Sequence, residues 1–186
     1  MSEEFNYSRE EPFYVLSLSD NAIKEIDTYL SGVPEDSWQT HQTDYLDQKD
    51  FRLCDIHCPQ SNSVVSSIGR SIFDTINKKY EFDIVLYEFQ ILRYGVGGNF
   101  DWHCDYGIAP NKKVWRKLSL SVQLSDPEDY EDGGLIIVDY CNKNCELPKG
   151  KGNSIVFDSR CPHRAEPVTK GERLVLVGWA SGPKLR

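Results

Sequence analysis

Through the first 80 residues, apolar side chains recur at helical spacing. Ser19 and Asp20 cap a run through Ala22, Ile23, Ile26 and Leu30, and Gly32 ends it. From Ser63 to Lys79, Val64, Val65, Ile68, Ile72, Phe73 and Ile76 line one helical face. The first dozen residues are polar, reading as a loose end or an edge strand, and residues 31–50 are mixed. This part therefore reads as two helices with irregular connections. After Tyr80 the period shortens, and brief apolar runs alternate with Gly, Pro, Asn and Asp clusters. Strands are predicted near Ile84–Tyr94, Phe100–Asp105, Lys117–Leu124, Leu135–Val138, Ser154–Phe157, His163–Val168 and Arg173–Trp179. Gly97-Gly98, Gly133-Gly134 and the Pro-Lys-Gly-Lys-Gly stretch at 148–152 punctuate them. Many short strands with no helices between them predict a sandwich or barrel, not a parallel sheet. The expected fold is mainly β with N-terminal helices (α+β), the helices packed on one face of a double-sheet core.

Composition narrows this further. At 186 residues the chain fits one domain, with enough core to fold without a disulfide or zinc staple. No apolar run approaches the ~18 residues of a membrane span. The opening Met1-Ser2-Glu3-Glu4-Phe5 is acidic rather than signal-like. A cytoplasmic protein with no membrane partner is expected. A net charge of −8 makes bulk attraction to nucleic acid a poor expectation. The cysteines (Cys54, Cys58, Cys104, Cys141, Cys145 and Cys161) are expected to be reduced. The pairs Cys54/Cys58 and Cys141/Cys145 have spacing that a structural zinc site tolerates.

The chemistry gathers around histidine. In a strand His103 and Asp105 point the same way and Cys104 the other, so an imidazole and a carboxylate can share a metal. His163, on a later strand, is available as a third ligand. Two histidines and a carboxylate on one triangular face suit non-haem Fe(II), leaving sites for a bidentate oxo acid and O2. By itself His-x-Asp is commonly a surface pair. The segment after His163 adds weight, because its Pro-Val-Thr-Lys-Gly-Glu turn can aim Arg173 inward. A lone buried guanidinium is costly unless an internal acid or a bound anion answers it, and its fork matches a carboxylate.

From about Tyr80 to Trp179 the chain resembles the Fe(II)/2-oxoglutarate-dependent oxygenases, in their prolyl 4-hydroxylase-like branch. Tyr94 and Phe100 precede His103-x-Asp105. Then follow Arg116-Lys-Leu-Ser-Leu-Ser-Val-Gln-Leu-Ser125, Asp132-Gly-Gly-Leu-Ile, Leu147-Pro-Lys-Gly and Asn153-Ser-Ile-Val-Phe157. His163, Pro-Val, Gly-Glu-Arg173 and Trp179 complete the order. The stretch Leu124 to Leu135 is similar to the bacterial PKHD-type hydroxylases. The resemblance implies a double-stranded β-helix (jelly-roll, cupin-like) core over residues 81–186, supported by a helical region at 1–80. It implies His103, Asp105 and His163 as iron ligands, with Arg173 gripping 2-oxoglutarate and Tyr94 beside that co-substrate. Gln123 stands where some members carry a second carboxylate-binding tyrosine, and Ser119 and Ser121 on its strand face could supply hydroxyls instead. The implied activity couples decarboxylation of 2-oxoglutarate to succinate with hydroxylation of a C–H bond. The expected substrate is a prolyl or other amino-acid residue of a peptide or protein, or a small molecule, with Fe(II), O2 and ascorbate as reductant.

Three other readings use the same residues. A nucleic-acid demethylase would carry a second arginine soon after Arg173, where this chain reads Leu-Val-Leu-Val-Gly-Trp. A zinc hydrolase could use the same three ligands, and a non-catalytic cupin-like domain would form no succinate. The basic cluster Lys112 to Lys117 reads as a solvated loop before it reads as a substrate entrance. Trp102, Trp115 and Trp179 read equally as core or pocket aromatics, and His41 and His57 as structural. Cys161 receives no role.

Overall fold

The computed structural model describes residues 13–45, 48–107, 113–139 and 142–184. Ser19 caps α1 (Asp20–Ser31) by accepting a hydrogen bond from the Ala22 amide, and Gly32 closes the helix. Ser63 does the same for α2 (Val64–Tyr80), which ends on Glu81 in the left-handed region. Both helices follow the sequence pattern. The region before residue 80 holds more than helices, however. β1 (Phe13–Ser17), β2 (Gln39–Tyr45) and β3 (Gln48–His57) also form there, the last two pairing with each other. They were illegible because their partners are either mutual or far off along the chain. Polar β2 in particular lacks the apolar alternation of a half-buried strand.

The later strands are β4 (Leu86–Tyr94), β5 (Asn99–His103), β6 (Trp115–Gln123), β7 (Tyr130–Asp132) and β8 (Leu135–Val138). β9 (Asn144–Glu146), β10 (Asn153–Asp158), β11 (His163–Ala165), β12 (Val168–Gly171) and β13 (Arg173–Gly182) follow. The expected strand through Val168 is thus two, broken at Glu166-Pro167. All pairings are antiparallel, in the order β1-β10-β6-β13-β4-β3-β5-β11-β8-β9, with β2 beside β3 and β12 beside β7.

The long sheet curls back on itself. Leu135 and Ile137 of β8 share one core cluster with Ile155 and Phe157 of β10, although six strands separate these two in the sheet order. The neighbouring strands of the larger half alternate cleanly. Leu118 and Val122 of β6 and Leu176 and Ala180 of β13 pack under Val65, Ile72, Phe73 and Ile76 of α2. Ser121 of β6 and Arg173, Val175, Val177 and Trp179 of β13 face the other way, into the fold of the curl. The helices therefore cover the outer face and leave the inner face for a site, a double-stranded β-helix arrangement. No helix of the described residues is long and apolar enough to cross a membrane.

Candidate active site

The inner face encloses a cleft with about 490 Å³ of non-protein space, counted to its open mouth. His103, Asp105, His163, Arg173, Tyr94 and Ser121 all line it. His103 ends β5 and pairs directly with His163 of β11. Asp105 lies in the irregular segment just beyond β5, not on the strand as expected, while Cys104 between them is exposed. One donor atom from each of His103, Asp105 and His163 falls within 4.8 Å of the others, the one such cluster among the described residues. Cys54, Cys58 and Cys145 form no metal group there, and Cys141 lies outside the described residues.

The imidazoles are held in the form a metal needs. His103 Nδ1 lies 2.6 Å from the Asp101 carbonyl, and His163 Nδ1 lies 3.0 Å from the Cys161 carbonyl. A carbonyl only accepts, so in the neutral rings the proton sits on Nδ1 and Nε2 keeps its lone pair. Both Nε2 atoms face Asp105, at 3.8 Å from Oδ1 and 3.5 Å from Oδ2. Burial, with His163 beside it, pushes the His103 pKa down and favours that neutral ring. Burial pushes the Asp105 carboxyl up, but the two histidines when protonated, together with hydrogen bonds from Ser119 and Trp179, outweigh it, and the net shift is downward. Ser119 donates to Asp105 Oδ2 at 2.7 Å, and Ser159 lies 2.9 Å from the Ser119 oxygen. Neutral imidazoles around an ionised carboxylate are a donor set that fits a divalent first-row metal such as Fe(II).

Arg173 is 2% exposed, and no carboxylate of the described residues lies within 4 Å of it. Its Nε donates to Gln123 Oε1 at 3.2 Å, and its guanidinium carbon stands 5.6 Å from the Tyr94 ring centre. The internal ion pair that sequence reasoning weighed for Arg173 is thus not made. A buried guanidinium with no carboxylate beside it, in the same cleft as the two imidazoles, fits the distal carboxylate of 2-oxoglutarate. Gln123 is buried behind Arg173 and does not line the cleft, and Ser119 turns to Asp105.

Three further residues take places that the sequence reading did not assign to them. Phe100 lies flat on His103, ring centres 3.5 Å apart. Arg52 of β3 lines the cleft with its guanidinium carbon 4.7 Å over Phe100. Arg116, expected in a solvated loop, lies in β6 with its guanidinium carbon 3.9 Å over Trp179 and Nη1 4.0 Å from Asp105. Lys117 beside it is only 4% exposed. The loop reading fails because β6 begins at Trp115, earlier than the polar run suggested. His57 is structural, bonded to the Tyr29 and Ser37 hydroxyls at 3.0 Å each.

An antiparallel double-stranded β-helix whose inner cleft gathers two imidazoles, a carboxylate and a buried guanidinium defines a class of metal-dependent oxygenase folds. Residues 89–181 match the 2OG-Fe(II) oxygenase superfamily, and the chain belongs to it. It is 30% identical over 132 residues to a PKHD-type hydroxylase of Synechococcus sp., covering 70% of this chain and 58% of that one. A PKHD-type hydroxylase of Gloeothece citriformis is 29% identical over 126 residues, 64% of this chain and 56% of the other. The chain thus spans little more than half the length of these curated relatives. Its fold is similar to that of a Pseudomonas putida prolyl-4-hydroxylase, with a TM-score of 0.74 at 15% identity over 94% of each chain.

Proposed function

We propose that the protein is an Fe(II)- and 2-oxoglutarate-dependent dioxygenase that hydroxylates a C–H bond, a prolyl or other amino-acid residue of a peptide or protein being the favoured substrate. One observation carries the reading. Two imidazoles with free Nε2 atoms and one carboxylate converge in the same cleft as a buried arginine lacking an acid partner. In this reading His103, Asp105 and His163 hold the iron. Arg173, set by Gln123, holds the far carboxylate of 2-oxoglutarate, while Tyr94 and Ser121 wall its place. Bound iron, 2-oxoglutarate and O2 together supply the oxidising power. The chain's part is to orient the reactants and keep water from the oxidant, which the apolar lining from Leu92, Leu135, Val175 and Val177 favours. The relatives named for PKHD-type and prolyl hydroxylases support the choice of substrate class.

The test is anaerobic reconstitution with Fe(II), then O2 with ascorbate as reductant, and succinate measured with and without proline-containing peptides. Succinate should form, faster with an accepted peptide, and the visible charge-transfer absorption of an iron-bound oxo acid should appear before O2 is added. Asp105→Ala should abolish both. Full succinate formation by that variant would remove Asp105 from the ligand set and with it this reading.

A further inference from the structure

Among the described residues Arg52 has no partner suited to its charge. Its Nε is buried without a hydrogen-bond acceptor, and no carboxylate of the described residues lies within 4 Å of it. Its charge acts on His41, Cys54, Tyr94, His103 and Arg116. Its side chain donates a hydrogen bond to the Cys54 thiol. This chain has 29 acidic residues against 21 basic ones, so the lack of a partner is not a shortage of acids. A half-buried guanidinium pays desolvation that only an anion returns in full.

Its position says where that anion would be. Arg52 pairs across the sheet with Phe100, and Phe100 lies on His103. The cation therefore stands two stacked layers from a candidate iron ligand, on the wall of the same cleft. Arg116 approaches from the β6 side, with its Nε also buried and unpartnered. Glu88 and Asp105 offset the Arg116 charge. With Fe(II) and the 2-oxoglutarate dianion in place, those two charges cancel, Asp105 cancels Arg173, and Glu88 is left to answer Arg116. Arg52 alone is left over.

We propose that Arg52 recognises a carboxylate on the substrate, next to the residue that is oxidised, so that the preferred substrate is an acidic peptide. The proposal rests on the dioxygenase reading and names its substrate class. The carboxylate can be an aspartate or glutamate side chain or a free C-terminus, and the two share one recognition chemistry. A planar guanidinium fork on an aromatic ring suits it, because the ring holds the fork and leaves its edge for two parallel hydrogen bonds.

The experiment measures binding of fluorescent prolyl peptides to protein loaded with Mn(II) and 2-oxoglutarate under nitrogen, by anisotropy. One pair of end-blocked peptides carries Glu or Gln beside the proline. A second pair, neutral in its side chains, ends just after the proline as a free acid or an amide. Wild-type protein should bind the acid member of at least one pair about 10- to 100-fold more tightly than its neutral twin. The pair that shows the preference tells side chain from chain end. Arg52→Gln should bring that ratio close to one, Arg52→Lys should keep a reduced preference, and Arg52→Glu should favour a Lys-bearing peptide. Equal binding of acid and neutral peptides by the wild type, no binding of any acid peptide, or a preference that survives in Arg52→Gln would each overturn the proposal. The wild-type comparison needs no variant to fold. Succinate formation by wild-type protein with Fe(II) and O2 is scored separately. Its absence counts against the dioxygenase reading, whereas succinate without carboxylate preference counts against Arg52 alone.

Discussion

Asp105 is the candidate ligand least secured by its backbone, since it lies past the end of β5. Its side chain is fixed instead by the Ser119 hydroxyl at 2.7 Å and by Trp179. Ser119 donates its one proton to Asp105, so the Ser159 hydroxyl donates to Ser119 in turn. Such support orients a ligand, and its loss commonly weakens metal binding by about 10- to 100-fold. Ser119→Ala should therefore raise the Mn(II) or Co(II) dissociation constant by about that factor, read by anaerobic titration. Its requirement for 2-oxoglutarate at saturating metal should change little. An unchanged metal constant would mean that Trp179 and the backbone beyond β5 suffice. Arg173 behaves in the opposite way. Arg173→Ala should raise the 2-oxoglutarate KM by about 100-fold through loss of charge-assisted hydrogen bonds and leave metal affinity nearly intact. Arg173→Lys should fall between, keeping the charge and losing the fork. Steady-state KM beside metal titration separates the two positions.

Between elements, Arg93 ties the N-terminal hairpin to the main sheet. It projects from β4 and donates from Nε and Nη2 to Asp55 of β3, at 3.1 and 2.9 Å, and from Nη1 and Nη2 to Glu35. Thr40 of β2 donates to the other Asp55 oxygen at 2.7 Å. The Thr40 bond, with Arg93 adding to it, holds the Asp55 carboxyl below its ordinary 3.8 although burial opposes them. A depressed carboxylate stabilises the fold above its unfolded pKa and loses that contribution as pH falls through the folded value. Asp55→Asn should thus cost about 1 kcal/mol near neutral pH. Its deficit in thermal midpoint should shrink as pH drops below about 4. A deficit that persists unchanged at low pH would assign the effect to packing. The same hairpin marks how far the sequence could be read. Single-element patterns were legible: α1 and α2 from their stripes and caps, and β13 because Val175, Val177 and Trp179 alternate with Leu174 and Leu176. His103, His163 and Arg173 were legible because residue type and order carry their chemistry. Arg52 was not, because its place depends on β3 lying between β4 and β5, a pairing of strands some 40 residues apart that leaves no local trace. Arg116 was misplaced for the same reason, since only the register with β13 turns it over Trp179.

At the scale of the molecule, the site exists only because the sheet curls. His103 and His163 sit on β5 and β11, and Arg173 on β13, with β4 and β3 between these groups in the strand order. Ligands that bridge them therefore bind the folded curl and have no equivalent in the unfolded chain, so binding must add to folding stability by mass action. At a hundredfold excess over the dissociation constant the gain is about 2.7 kcal/mol, which for a chain of this size moves the midpoint by about 5–10 °C. Mn(II) should raise the thermal midpoint of the wild-type protein, and 2-oxoglutarate should add a further rise only when the metal is present, because each holds the other. Asp105→Ala should lose both increments. Arg173→Ala should keep the metal increment and lose most of the second, which dissects the cleft into its metal half and its anion half without reference to any substrate. Differential scanning fluorimetry over a matrix of metal and oxo acid reads all of these. A rise from 2-oxoglutarate alone, equal with and without metal, would mean that the anion binds at Arg173 independently of the His103, Asp105 and His163 group. The two halves of the curl would then be separate sites.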